Sequence, residues 1–153
     1  MKITKALPRS QISIEFRAKD KKEAIQSLVE IMVEQGRIPK EKVEEVMKAL
    51  MEREEMTSTG LGHGVALPHV KTNVVKEICI AFGRSAEGIG FDALDGNPVH
   101  FLFLILAPPD KSEEYLKTLA SISMLMKNEK VRSKLYAAKS ADEIFRTFDQ
   151  SNS

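Results

Sequence analysis

The sequence predicts an α/β fold, a single domain of three α/β/α layers spanning residues 1–153, with helices flanking a mixed β-sheet. Three observations carry that prediction. Val99 to Leu106 is an almost continuous apolar run, the pattern of a strand covered on both faces. Helical apolar stripes lie before this run, between Asp20 and Met51, and after it, between Asp110 and Phe148. No repeat, low-complexity tract or linker divides the chain, and its length suits one domain.

The elements follow in order. Gln11 to Phe16 alternates polar and apolar residues, placing Ile12, Ile14 and Phe16 on one face of a half-buried strand. Asp20 is a helix N-cap, with Glu23 as its capping-box partner. Ala24, Ile25, Leu28, Val29, Ile31 and Met32 form that helix's apolar face, which runs to Gln35 and stops at Gly36. Pro39 stands near the start of a second helix, where proline is tolerated, and Val43, Val46, Met47, Leu50 and Met51 are its buried stripe. The helical period ends at Met56, and Thr57 to Gly64, rich in Gly, Ser and Thr, reads as a loop. Val65 to Leu67 is a short apolar piece ended by Pro68. Ile78 to Gly83 is a further strand, Asp95-Gly96-Asn97 a turn, and Val99 to Leu106 the central strand, stopped by Pro108-Pro109. A helix from Asp110 to Met126 carries Leu116, Leu119, Ile122, Leu125 and Met126 at helical spacing. A shorter helix spans Glu129 to Ala138. Ser140 and Glu143 then cap a last helix that buries Ile144, Phe145 and Phe148.

Composition excludes several function classes. Lys and Arg total 23 against 22 Asp and Glu, so there is no basic field for a nucleic-acid backbone and no polyanionic tail. Tryptophan is absent, which leaves a core of Leu, Ile, Val, Met and Phe. The methionines at 47, 51, 56, 124 and 126 are read as core residues on helical stripes. The single cysteine, Cys79, cannot form an internal disulfide and is read as a small buried residue in a reducing cytosol. Met1 to Ser10 lacks the apolar segment of a secretory leader, and Phe101 to Ala107 is too short to span a bilayer. A cytoplasmic location without direct membrane insertion is expected.

The chemistry concentrates between Arg53 and His69, in REEMTSTGLGHGVALPH. Arg53 lies at a helix end. The loop after it offers Ser58, Thr59, Gly60, Gly62 and Gly64, small residues whose backbone N–H groups an anion can approach. Pro68 holds Leu67 extended and fixes its own φ, so His69 is presented with little conformational freedom. A neutral imidazole is a nucleophile at cytosolic pH. Phosphoryl transfer asks the protein mainly for positioning and for donors to the charge spread over the phosphate oxygens, which an arginine and a Gly/Ser/Thr loop supply. The residues alone leave open the plainer reading, a turn beside a surface histidine. The stretch is neither a P-loop, since Gly-Lys-Ser/Thr is missing, nor a dinucleotide fingerprint.

Arg53 to His69 resembles the signature of the fructose/mannitol/nitrogen-regulatory enzyme IIA family of the sugar phosphotransferase system, R-E-x-x-x-S-T-G-(I/L)-G-x-G-(I/V)-A-(I/L)-P-H. The likeness extends to FDALDGNPV from Phe91 to Val99, to the strand from Phe101 to Pro108 and to Leu116–Leu119. The resemblance implies a phosphocarrier whose phosphohistidine is His69, at Nε2, with Arg53 as active-site arginine and Ser58, Thr59 and Gly60 against the phosphate. It implies a phosphohistidine donor, HPr or nitrogen-type HPr, and as acceptor an enzyme IIB or a regulatory target. No metal or cofactor is implied, because the donor is already a phosphoramidate. The sequence departs from the family pattern at one position. Tyr115 stands where members commonly carry a second active-site histidine, in the context Tyr115-Leu116-Lys117-Thr118-Leu119. A tyrosine hydroxyl donates a hydrogen bond but is not cationic. This departure, and the lack of any IIB or IIC segment on the chain, turns the expectation towards the nitrogen-regulatory branch, with a sugar-specific IIA and a binding module that transfers inefficiently as the alternatives.

His63 and Lys71 are further phosphate-site candidates. His63 is set against the plainer reading of an exposed loop histidine, and with His69 it is too poor in ligands for zinc. Lys71 either screens the phosphate or is simply solvated. His100, interrupting an apolar strand, is read as a satisfied sheet-end histidine.

Overall fold

The apolar run that begins at Val99 becomes the centre of the sheet. In chain order the elements of the computed structural model are β1 (Ile12–Ser13), α1 (Lys21–Glu34), α2 (Val43–Met56), β2 (Gly60–Gly62), β3 (Val65–Ala66), β4 (His69–Lys71), β5 (Cys79–Ile89), β6 (Val99–Ala107), α3 (Ser112–Met126), α4 (Glu129–Ala137) and α5 (Ala141–Ser151). The structure describes residues 2–56, 58–93 and 95–151. The sheet order is β1-β5-β6-β3-β2, and β4 also pairs with β6. β1 runs parallel to β5, β5 antiparallel to β6, β3 and β4 parallel to β6, and β2 antiparallel to β3, which makes the sheet mixed.

Apart from His100, β6 is apolar because it is covered twice. Phe101, Phe103, Ile105 and Ala107 face one core with residues of α3, α4 and α5, whereas Leu102, Leu104 and Leu106 face the other with residues of α1 and α2. This alternation is the period of a strand, and it gives the three-layer α/β/α arrangement. Phe82 anchors the first core, edge-on to Phe103 at 4.8 Å and to Phe148 at 5.2 Å.

Helix ends follow the sequence chemistry. The Asp20 carboxylate accepts from Glu23 N at 2.9 Å, while Glu23 reaches back one residue further than a standard capping box, to Lys19 N at 3.3 Å. Gly36 takes φ +73° directly after the helix. The Ser140 hydroxyl caps α5 through Glu143 N at 3.1 Å.

Several expectations are corrected. The first strand is short: β1 ends at Ser13, and a bend at Ile14 and Glu15 takes Phe16 to the opposite core. Gly83 explains how Phe16 fits there, since a Cβ at that position would meet its ring at 2.6 Å. The loop expected over Thr57 to Gly64 contains β2; Thr57 itself lies outside the described residues. β5 runs on to Ile89 through a polar stretch, with a register shift between Arg84 and Ile89. α3 begins at Ser112 after a 3-10 turn, and its buried stripe is Tyr115, Thr118, Ile122 and Met126, not one led by Leu116. Leu116 is 63% exposed, and Met56 and Met124 are likewise on the surface instead of in the core. Cys79 is buried as expected, and desolvation pushes its thiol up to about 12. Among the described residues no helix is long and apolar enough to cross a membrane.

Arg84 ties the layers together. Its guanidinium donates to Ile14 O at 3.0 and 3.2 Å, to Leu135 O at 3.0 Å, to Tyr136 O at 3.2 Å and to Ala138 O. A cation thus satisfies carbonyls at the C-terminus of α4, where the helix dipole also favours positive charge. Arg84→Ala is expected to destabilise the fold by about 2–3 kcal/mol. Thermal unfolding followed by circular dichroism should fall by roughly 5–10 °C, and Arg84→Lys should recover less than half of that, because an ammonium lacks the planar fork.

Candidate active site

β3 and β4 are two halves of one line of chain beside β6, interrupted at Pro68. Proline has no N–H to give the ladder, yet its carbonyl still accepts from Ile105 N at 3.0 Å, so the chain stays against β6 across the break. His69 opens β4, level with Ile105, and is half-buried. The Leu67 carbonyl lies 2.5 Å from His69 Nδ1. A carbonyl can only accept, so Nδ1 carries the proton and the free lone pair of the neutral ring is on Nε2.

Two elements from opposite sides of the sheet converge on this ring. Tyr115, in the first turn of α3, places its ring centroid 6.0 Å from that of His69, tilted by 54°. Arg53, in the last turn of α2, is close enough for its charge to act on both His69 and Tyr115. Burial, first, and then the Arg53 charge hold the His69 pKa below its ordinary value of 6.5, outweighing the Leu67 hydrogen bond and the Glu54 charge, which push it up. Burial raises the Tyr115 phenol to about 12, so its hydroxyl stays protonated across the working range of pH and remains a donor.

The sign of the His69 shift sets a pH dependence. Below 6.5 the unfolded chain binds a proton that folded His69 does not. The stability His69 contributes is therefore complete above 6.5 and is lost as pH falls through the window between 6.5 and the lower folded value. Nε2 reactivity follows the folded value. The rate of any reaction that uses the Nε2 lone pair should fall on the acid side with a limb centred below pH 6.5. A rate profile from pH 5 to 8 checks this; an acid limb centred above 6.5 contradicts it.

The remaining sequence candidates are placed differently. Thr59 is 2% exposed; its N–H reaches Glu54 Oε2 at 3.3 Å and its hydroxyl donates to Glu54 Oε1. The Ser58 hydroxyl donates to Phe91 O at 2.8 Å and accepts from Gly60 N at 3.0 Å. In this geometry the Ser58 and Thr59 hydroxyls and the Thr59 and Gly60 N–H groups brace the hairpin. Gly60 is itself wedged against Ala93, which a Cβ would meet at 2.8 Å. Lys71 shares a strand face with His69 two residues away, and its ammonium donates to the Ser112 hydroxyl at 3.3 Å, beside the start of α3. His63 sits at the turn between β2 and β3 with φ +57°. Its neighbour Gly64 is level with His100, whereas His69 is level with Ile105, which puts roughly 16 Å of strand between Gly64 and His69 at about 3.3 Å per residue. His100 donates from Nδ1 to Ser85 O at 2.7 Å, the satisfied role expected of it. Sequence reading missed Glu54, a buried carboxylate between Arg53 and the hairpin. Its only signal was a charge in a helix's last turn ahead of a Ser-Thr pair.

A histidine with its Nε2 lone pair free, flanked by an arginine and a protonated tyrosine, can take an electrophilic group whose oxygens need cationic and neutral donors. The sequence matches the family model for the phosphoenolpyruvate-dependent sugar phosphotransferase system, EIIA 2, over residues 5–151. The chain belongs to that family. Among its relatives, the fructose-specific EIIA component of Haloferax volcanii is 39% identical over 142 residues, covering 93% of this chain and 91% of that protein. The fructose-specific EIIABC component of Bacillus subtilis is 35% identical over 150 residues, and this EIIA chain spans 23% of its length. The crystal structure of the nitrogen regulatory protein IIA-Ntr from Neisseria meningitidis superposes with a TM-score of 0.86 at 32% identity, covering 95% of this chain and 98% of that one. Enzyme IIA mannitol from Escherichia coli, in its complex with phosphorylated enzyme IIB mannitol, gives a TM-score of 0.76 at 25% identity over 92% of this chain and 95% of that one.

Proposed function

We propose that this EIIA chain accepts a phosphoryl group on His69 Nε2 from the phosphohistidine of HPr or nitrogen-type HPr, and that it works in the nitrogen-regulatory branch. The observation that carries the reading is the Nδ1–H to Leu67 carbonyl bond, which leaves Nε2 as the nucleophile beside Arg53. The Nε2 lone pair attacks phosphorus, the donor's P–N bond breaks, and the donor imidazole takes its electron pair. The His69 proton stays on Nδ1. Arg53 offers a cation and Tyr115 a neutral donor to the transferred oxygens. The phosphate then passes to an enzyme IIB or stays as a regulatory signal to a protein partner. Tyr115, neutral where the family commonly has a second histidine, favours the regulatory role. The fructose-specific relatives and the IIA–IIB mannitol complex support a second reading, a sugar-specific IIA that hands the group to IIB.

The test is to incubate the protein with phosphoenolpyruvate, enzyme I and each of the two HPr types. An acid-labile, base-stable phosphate is expected, formed faster from nitrogen-type HPr. A preference for general HPr moves the protein to the sugar branch. No labelling from either donor removes the phosphocarrier reading and leaves a binding module.

A further inference from the structure

Glu54 stands one residue past Arg53 in the last turn of α2, with its side chain 2% exposed. A carboxylate this deeply buried persists only if it is paired and hydrogen-bonded. Glu54 is both. Lys21 Nζ, at the start of α1 and 18% exposed, lies 3.2 Å from Oε2. The backbone N–H and the hydroxyl of Thr59 complete its partners. Lys21 is itself held, 5.0 Å above the Phe91 ring and 3.8 Å from the Asp92 carboxylate. From Thr59 the bonding continues to the nucleophile: the Thr59 carbonyl accepts from Leu67 N at 3.0 Å, and the Leu67 carbonyl accepts from His69 Nδ1. A line of hydrogen bonds thus runs from the first turn of α1, through the end of α2 and the hairpin, to the ring of His69. β2 is an edge strand that pairs only with β3 among the described residues, and β3 in turn lies against β6, so the Glu54–Thr59 bonds hold the start of the hairpin on the side of α2.

We propose that Glu54, held by Lys21, is a positioning residue for phosphoryl transfer at His69: it fixes Thr59 and, through the Thr59 and Leu67 backbone, keeps the imidazole in the Nδ1–H tautomer with Nε2 unprotonated. The proposal rests on the reading of His69 as the phosphorylated residue. In the other tautomer Nε2 carries the proton and the lone pair faces a carbonyl oxygen, so no P–N bond can form at Nε2. Glu54 also acts on the ring by charge, since it raises the His69 pKa against the opposing effect of Arg53. A purely structural brace would hold the fold together without setting which ring nitrogen carries the proton.

Imidazole nitrogen NMR of the full chain reads the His69 tautomer and pKa without any phosphate donor, and single-turnover phosphorylation against donor concentration separates maximal rate from half-saturation. Glu54→Gln and Thr59→Val are expected to populate the Nε2–H tautomer and to lower the maximal rate about 10–100-fold, with half-saturation within about twofold. In Glu54→Gln the His69 pKa should also fall; Thr59→Ser, which keeps the hydroxyl, should restore tautomer and rate. If Glu54→Gln does not fold, Thr59→Val decides, because it leaves the Lys21–Glu54 pair in place. A folded variant with wild-type tautomer and maximal rate overturns the proposal. Wild-type protein that holds the Nδ1–H tautomer but takes no phosphate instead overturns the phosphocarrier reading, so the two failures are distinguishable.

Discussion

His69→Ala is expected to abolish the acid-labile label completely while leaving the protein folded. The chain has only two other histidines, and neither can substitute. His63 lies at the far end of the hairpin from Arg53 and Tyr115, and His100 is engaged with Ser85 O beside the Tyr136 ring. A phosphoramidate also needs an imidazole nitrogen, so nearby hydroxyls would give a phosphate that survives acid. The structural consequence of the substitution should be small. His69 is half-buried and gives up one hydrogen bond, worth about 1 kcal/mol, which corresponds to a few degrees in Tm for a chain of this length. Labelling followed by acid and base treatment checks the result. His63→Asn, chosen because asparagine tolerates a positive φ, and His100→Gln should keep the label. Label persisting in a folded His69→Ala protein would place the phosphate on another residue and remove the assignment.

How much of this site was legible in the sequence depends on how local its causes are. Proline restricts its neighbours directly, so Leu67-Pro68-His69 announced a rigidly presented histidine without any tertiary information. The central strand was legible because a run buried on both faces shows in hydropathy alone. The first turn of α3 was not. Hydropathy favours Leu116 over Tyr115, but the helix turns Tyr115 towards His69 and leaves Leu116 on the surface. The second half of β5 was missed because Ser85-Ala86-Glu87-Gly88 lacks an apolar alternation, and what carries the strand on to Ile89 is its pairing with Val99 across an irregular register. β2 was hidden for a similar reason: Gly60-Leu61-Gly62 has poor strand propensity and is held by β3. Glu54 was the deepest omission. A glutamate among charged residues at a helix end reads as solvated, and only the arrival of Lys21 and Thr59 from other elements makes it a buried ion. Short-range constraints were therefore readable, whereas the second layer of the site, made by long-range contacts, was not.

Arg53→Ala should lower the rate of phosphoryl transfer to His69 by about 100–1000-fold, the range seen when one preorganised donor to developing charge is removed. Arg53 approaches His69 from the last turn of α2, where the helix dipole already favours a cation, so its position carries little electrostatic strain. In the resting protein it disfavours imidazolium; on the proposed function, a phosphate on Nε2 would set the same charge against a dianion and be stabilised by it. Those two roles give two independent signs. Removing Arg53 slows transfer, and it also lets the His69 pKa rise towards 6.5, moving the acid limb of the rate profile up. Arg53→Lys should keep most of the pKa effect, which depends on charge, but recover only part of the rate, which depends on a planar, multidentate donor. Neighbouring Glu54 pushes the His69 pKa the opposite way, so Arg53→Ala and Glu54→Gln should both slow transfer while shifting that pKa in opposite directions. A common loss from unfolding would not split in sign. Single-turnover rates and an NMR titration of His69 in both variants test the pair. Rates within about threefold of wild type in folded Arg53→Ala would mean that Tyr115 and backbone groups suffice for the transferred charge.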